Sequence, residues 1–266
     1  MIEPPSLSVI LPCYSAAPMA ARSVAVLSAY LATLVPHWEI VVVDDGNNDF
    51  TASPLPDLPG VRLLRHPRNL GKGAAVRTGM LAARGQVRVF TDVDMPYDRE
   101  LIPVMAEYIT SRGFHLVIGD RTFPESRYAR ATSLSRRALS TLASRLIGSM
   151  VTGGFFDTQC GIKAIRGDIA DELFRLVRIR RFAFDVEVIY LALKHRLDIK
   201  RVPVRLRRNL ATSVRPFRDA FQAGIDILAI KARQLGGQYR SEALENLIAS
   251  EAEILRARFD PSASAT

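Results

Sequence analysis

Short runs of aliphatic and β-branched residues alternate with longer stretches of helical period through the first 120 residues of the chain. The runs at 7–11, 39–43, 61–64, 86–91 and 116–118 predict strands, and the stretches at 19–35, 72–83 and 99–111 predict helices between them. This alternation specifies βαβ units and a mostly parallel sheet. The runs at 7, 39 and 86 are almost wholly apolar, as strands covered on both faces must be, so an open, doubly wound α/β sheet is expected. After residue 121 the pattern changes to a basic helical stretch at 133–150, a break at Gly153 and Gly154, a strand at 161–166, helices near 168–176 and 185–195, and a strand near 198–208. From Pro216 onward the period is helical, with Phe217, Phe221, Ile225 and Leu228 forming an apolar face expected to pack on the domain.

Composition adds that such a chain can bury a core unaided. Its 266 residues are 48% apolar, 24% charged and 8% aromatic, far from the composition of disordered chains. Two cysteines, Cys13 and Cys160, offer neither a disulfide framework nor a zinc cluster and fit a reducing compartment. The four histidines have no ligand spacing and read as structural. No run reaches the roughly 20 apolar residues of a membrane span, and the start MIEPPSLSV lacks the charge order of an export signal. A cytoplasmic protein is expected.

Charge is unevenly placed. Residues 1–120 carry 10 basic and 12 acidic side chains, 121–218 carry 21 and 8, and 219–266 carry 5 and 7. A central block at +13 within a chain of +9 calls for a polyanion: nucleic acid, an anionic membrane face or a phosphorylated substrate. The interleaved aromatics of a nucleic-acid-binding module are missing, which sets nucleic acid aside.

In open α/β sheets ligands bind beyond the carboxyl ends of the strands. The residues there are Asp44-Asp45-Gly46, Asp92-Val93-Asp94 and Gly119-Asp120-Arg121, so five carboxylates and an arginine are expected to converge on one rim. Two carboxylates two residues apart can reach one hard divalent cation and the phosphates it carries, although an isolated Asp-x-Asp is more often a turn or a cap. The segment VVVDDGNNDFT reads either as a strand entering an Asx-rich turn or as a nucleoside pocket whose carboxylate accepts from base or ribose.

The segments SVILPCYS, VVVDDGNNDFT, NLGKGAAVRTGM, TDVDMP, DTQCGIKAI and RRFAFDVEVIYLA, in this order from about residue 7 to about residue 218, resemble the inverting family-two glycosyltransferases. Within that family the chain is most similar to the dolichyl- or polyprenyl-phosphate glucosyl- and mannosyltransferases, and DTQCGIK and FDVE lie closer to the glucosyl branch. The resemblance implies one nucleotide-sugar-binding domain of GT-A type over 1–218, with a C-terminal helical extension over 219–266 packed on it. It implies that Pro12 and Tyr14 line the nucleotide pocket, that Asp44, with Asp45 beside it, recognises base or ribose, and that Lys72 and Arg77 lie near the donor. Asp92 and Asp94 match the pair on the donor diphosphate, of which Asp94 binds Mg²⁺ or Mn²⁺. Arg121, Arg136 and Arg137 fall where relatives hold the lipid phosphate, and Gln159 faces the same site. The chain departs from its relatives in following Tyr14 with Ser15 and Ala16 rather than Asn-Glu, and in lacking C-terminal membrane helices.

The expected reaction is metal-dependent transfer of a hexose, with glucose and a UDP-sugar donor favoured, to polyprenyl phosphate by an enzyme held peripherally on the anionic inner face of the membrane. A soluble hydroxyl acceptor is the alternative. A hydroxyl requires a base, for which Asp185 and Glu187 are candidates, although carboxylates at a helix start equally complement its dipole. A phosphate monoester with a second pKa near 6 is already mostly a dianion at neutral pH and needs arginines more than a base.

Overall fold

The computed structural model describes residues 6–47, 54–128, 157–158, 160–206 and 216–259. The basic stretch at 133–150, the Gly153-Gly154 break, Arg136, Arg137 and Gln159 lie outside these residues.

Seven strands form one sheet: β1 (Leu7–Cys13), β2 (Trp38–Asp44), β3 (Val61–Arg65), β4 (Val87–Phe90), β5 (Leu116–Asp120), β7 (Lys163–Arg166) and β8 (Ile199–Pro203), in the order β3-β2-β1-β4-β7-β5-β8. Two further short strands, β6 (Arg127–Tyr128) and β9 (Arg205–Leu206), pair in parallel beside it. The run expected near 198–208 is thus split, its last residues leaving the main sheet for the small one. Every neighbouring pair in the main sheet is parallel except those of β7, which runs antiparallel to both β4 and β5. That reversal has a consequence for the site. The start of β7 pairs with the ends of its neighbours, Lys163 opposite Phe90 and Ile118, so the segment entering β7 lies beside the carboxyl ends of β4 and β5.

The wholly apolar strands are buried on both faces because helices cover both. Alternate side chains feed two cores: Ile10, Val41, Val43 and Phe90 on one face, and Val9, Leu11, Ile40, Val42 and Val89 on the other. The second face is covered by α1 (Ala17–Leu31) and α3 (Leu101–Thr110), where Ala17, Ala20, Val24, Leu27 and Leu31 repeat at alternating spacings of three and four. The first face is covered by α2 (Lys72–Ala82), α4 (Gly167–Leu176) and α5 (Phe184–Lys194). Helix α5 buries every residue from Phe184 to Ala192, which explains why its sequence is apolar all round apart from Asp185 and Glu187.

Two further helices, α6 (Pro216–Leu235) and α7 (Glu242–Phe259), join the first core through Ile230, Tyr239 and Leu244. Of the stripe expected to pack, the side chains of Phe217 and Phe221 lie outside the described residues. Ile225 and Leu228 are exposed, Leu228 by 70%, while Ile227 and Ile230 face the domain. Glu187 fastens this region from within: its carboxylate accepts from the backbone N–H of Arg178 (2.9 Å) and Ile179 (2.7 Å) and from the Tyr239 hydroxyl.

Candidate active site

Asp44 closes β2 opposite Cys13 of β1, buried at the rim. One oxygen, Oδ1, accepts from the Asn47 N–H at 3.1 Å, while Oδ2 is buried with no partner among the described residues. A buried carboxylate oxygen without a donor is costly unless a ligand supplies one, so this atom is a candidate acceptor for a ligand. Pro12 is buried one residue before the end of β1, and Tyr14 follows with its ring half exposed. Asp45, expected at the donor, has protein partners for both of its oxygens. Its oxygens accept from the backbone N–H of Leu70 (2.9 Å) and Gly71 (2.8 Å) and contact His66 Nδ1 (2.8 Å), which shapes the loop that leads into α2.

That loop places Lys72. Gly71 has φ of +100°, and a Cβ there would lie 2.5 Å from the Arg180 carbonyl, so only glycine fits. The chain then enters α2 with Lys72 as its first residue, and its ammonium meets Asp92 Oδ1 at 2.5 Å. Asp92 and Asp94 leave β4 in a tight turn, closed by the Met95 N–H donating to the Asp92 carbonyl (2.9 Å) with Met95 at a φ of +44°. A non-glycine residue in the left-handed region marks stored strain, here beside the two carboxylates. Gly161, two residues before β7, backs this turn: a Cβ there would lie 2.3 Å from Asp92 Oδ2.

The electrostatics of the turn are asymmetric. Burial opposes the charge on Lys72, but Asp92, Asp185 and Asp94 outweigh it, and its pKa is raised. Burial and the neighbouring Asp92 push the Asp94 carboxyl above its ordinary value, and Asp94 Oδ1 is buried with no partner among the described residues. Among the described residues Asp92 therefore has a cation partner and Asp94 does not. An oxygen pair in this state fits a hard divalent cation.

The third strand end is organised differently. Asp120 does not join the carboxylates at β4, since Thr122 N–H (2.7 Å) and Arg201 Nε (2.5 Å) satisfy its oxygens. Arg121 grips Asp157 through Nε to Oδ2 (3.0 Å) and Nη2 to Oδ1 (2.6 Å). Burial opposes both charges, yet the pairing holds the Arg121 pKa well above and the Asp157 pKa below their ordinary values. Beside this pair the Gly161 N–H donates to the Tyr97 hydroxyl (3.2 Å), and burial pushes the Cys160 thiol up to about 11, leaving it protonated and unreactive at neutral pH.

Two expected residues sit apart from solvent or from the carboxylates. Asp185, the candidate base, is buried near the start of α5 in an ion pair with the fully buried Lys163. Arg77 donates from Nε to the Phe174 carbonyl at the end of α4 (2.8 Å), and burial with the like charges of Arg178 and Arg180 lowers its pKa. Five residues beyond Lys72 on α2, it points around the helix from it. Sequence reasoning missed Asp157, Gly161 and Lys163 as individual residues, although all three lie within DTQCGIK.

The sheet and its strand ends define an α/β domain with one polar rim. Residues 8–174 match the family model described as glycosyl transferase family 2, and the chain belongs to that family. Among its relatives, a dolichyl-phosphate beta-glucosyltransferase of Drosophila melanogaster is 32% identical over 219 residues, which cover 78% of this chain and 67% of that protein. The enzymes of the same name from Dictyostelium discoideum and Homo sapiens are 31% and 27% identical, the matches covering 76% and 77% of this chain and 65% and 67% of theirs. The chain thus spans about two thirds of the length of these relatives. A mannosyl-3-phosphoglycerate synthase from Rubrobacter xylanophilus superposes with a TM-score of 0.63 at 19% identity, covering 89% of this chain and 76% of that one. A glucosyl-3-phosphoglycerate synthase from Mycobacterium tuberculosis, solved with Mn²⁺ and UDP-glucose, gives 0.60 at 20% identity, covering 87% and 79%. The fold is GT-A.

Proposed function

We propose that the chain transfers glucose, with inversion, from a nucleoside-diphosphate glucose to a polyprenyl phosphate, and that UDP-glucose is the donor. The observation that carries this reading is the unequal pair at the end of β4: Asp92 neutralised by Lys72, and Asp94 with a buried oxygen that no donor reaches among the described residues. The names of the dolichyl-phosphate relatives support glucose and a lipid phosphate. The structural neighbour solved with UDP-glucose supports the donor.

Asp94, with Asp92 beside it, would hold Mg²⁺ or Mn²⁺, which when bound neutralises the charge that develops on the leaving diphosphate. The remaining tasks belong to the chain itself. Asp44 accepts from the nucleoside through Oδ2, with Pro12 and Tyr14 flanking the pocket. Lys72, at a helix N-terminus that itself favours anions, lies within reach of the diphosphate. The acceptor phosphate meets the basic side of the rim, where Arg121 stands, and Arg136, Arg137 and Gln159 belong to the same proposal. What favours a phosphate over a hydroxyl is the setting of Asp185: buried and ion-paired with Lys163, it is poorly accessible to an acceptor hydroxyl even though burial raises its carboxyl pKa, and a phosphate dianion needs no base.

No helix among the described residues is long and apolar enough to cross a membrane. A peripheral enzyme on the anionic inner face of the membrane, held by the basic central block, accords with that. The test is turnover of UDP-glucose with polyprenyl phosphate in Mg²⁺ or Mn²⁺ by the wild-type chain and by Asp94→Asn. The variant is expected to fold and to lose metal-dependent turnover. A near-normal rate would refute the metal assignment, and absence of lipid product from any nucleoside-diphosphate glucose would refute the reaction.

A further inference from the structure

The chain has only five lysines, Lys72, Lys163, Lys194, Lys200 and Lys231, among 36 basic residues. Two of the five stand at or beneath the end of β4. Lysine is a compact point charge, whereas arginine needs room for a planar fork, and the spaces concerned are tight. Lys163 is fully buried, its ammonium bonded to Asp185 and to the Cys160 carbonyl (2.7 Å) and lying 5.3 Å from the centre of the Phe90 ring. Such a charge is expensive to bury, and the proposed reaction does not use it. Its neighbours suggest why it is there. Cys160 and Gly161 lead into β7, Gly161 backs Asp92, and Phe90 ends the strand that delivers Asp92 and Asp94.

Taken together, the charges alternate from the interior outward: Lys163 against Asp185, and Lys72 against Asp92. The two pairs are adjacent because the helix starts that carry them are packed together: a Cβ on Gly73, next to Lys72, would lie 2.7 Å from the Cβ of Phe184, next to Asp185, and Lys72 lies within the fields of Asp92, Asp185 and Asp94. Two cations face three carboxylates, and the direct pairings leave Asp94 as the one without a cation partner within this group.

We infer that Asp185 and Lys163 are positioning residues: Asp185, locked by Lys163, draws Lys72 inward from beneath, and Lys72 in turn holds Asp92 against Gly161 so that Asp94 alone is left to receive a cation. The inference rests on the reading of Asp92 and Asp94 as the donor-holding pair. It also gives Asp185 a role other than the base expected for it.

The test begins with the unaltered protein. In ¹⁵N-lysine spectra of the metal-free chain, Lys163 and Lys72 should both show long-lived Nζ–H signals, with Lys194 and Lys200 exchanging freely. A Lys72 signal as labile as theirs would overturn the inference. The second arm uses Lys163→Met/Asp185→Asn, which removes both buried charges at once and so avoids stranding either. The double variant should fold, lose the Lys72 signal, bind Mn²⁺ with UDP-glucose roughly tenfold more weakly, and keep its KM for polyprenyl phosphate. A folded double variant with the Lys72 signal and the donor affinity intact would show the pair to be merely structural and would overturn the inference. Asp94→Asn serves as the control for the underlying reading: if it leaves Mn²⁺–UDP-glucose binding unchanged, that reading fails, and the Lys72 signal alone then decides on the positioning.

Discussion

The absence of a side chain at Gly161 is what lets Asp92 pack against this turn, and adding one methyl group tests it. A Cβ there falls 2.3 Å from Asp92 Oδ2 and 3.1 Å from its Cγ, where ordinary contact begins at 3.4 Å. The carboxylate oxygen must therefore retreat by about 1.1 Å, the difference between 3.4 and 2.3 Å. Asp92 is held by Lys72 at 2.5 Å on its other oxygen, so the retreat tears or skews that pair and shifts the frame in which Asp94 would receive a cation. A misplacement of about 1 Å at a reacting centre can cost on the order of 10²-fold in rate, and Gly161→Ala is expected to lose about that much turnover. Its stability should hardly move. The Gly161 backbone lies outside the left-handed region, so alanine gains about 0.4 to 1 kcal/mol by restricting the unfolded chain. The loss of a partly exposed ion pair, worth about 1 kcal/mol or less, roughly offsets that. The assay pairs UDP-glucose turnover and calorimetric titration of Mn²⁺ with UDP against a thermal melt. Gly224→Ala on α6, whose Cβ meets nothing within 4 Å, is the control expected to leave activity unchanged. A Gly161→Ala enzyme with donor affinity and turnover within about twofold of wild type would refute the packing of Asp92 against this turn.

Two further outcomes follow from the buried carboxylates. Glu187→Ala leaves the N–H groups of Arg178 and Ile179 and the Tyr239 hydroxyl without their acceptor in the core, and should cost roughly 3 to 5 kcal/mol, with Glu187→Gln costing about half; a urea melt of each variant checks it. Glu251 on α7 contacts His115 Nε2 (2.7 Å) and Arg166, and although burial would raise its carboxyl, these partners hold it below its ordinary 4.5. A lowered carboxylate pKa stabilises the fold fully above the unfolded value and loses that contribution as pH falls through the folded one. Melts between pH 6 and pH 3 should therefore show wild type losing stability relative to Glu251→Gln below about pH 4.5, and parallel curves would refute the latch.

The architecture was largely legible because hydrophobic period reports burial directly. The apolar runs at 7 and 39 could only be strands covered on both faces, and the polar residues at their ends could only face a rim. The reversal of β7 was not legible, since a strand carries no mark of its direction in its own composition; pairing with β4 and β5 decided it. The same limit applied to α6, whose apolar positions form two stripes, and only packing into the first core selected Ile227 and Ile230 over Ile225 and Leu228.

At the site, sequence alone brought Asp44, Asp92 and Asp94 into view, because a carboxylate after a buried strand has few places to go. It did not separate carboxylates with a partner from those without one. Asp45, Asp120 and Asp94 look alike in the chain, yet two are satisfied by a loop, a threonine and an arginine, while Asp94 keeps a buried oxygen with no partner among the described residues. Asp185 reads as a base or as a charge complementing a helix start, and only the fold brings Lys163, distant by 22 positions, against it. A residue's type and period are local and can be read from the chain. Its charge state and its availability to a ligand depend on which distant groups and how much water surround it, and those are set only when the strands take their order.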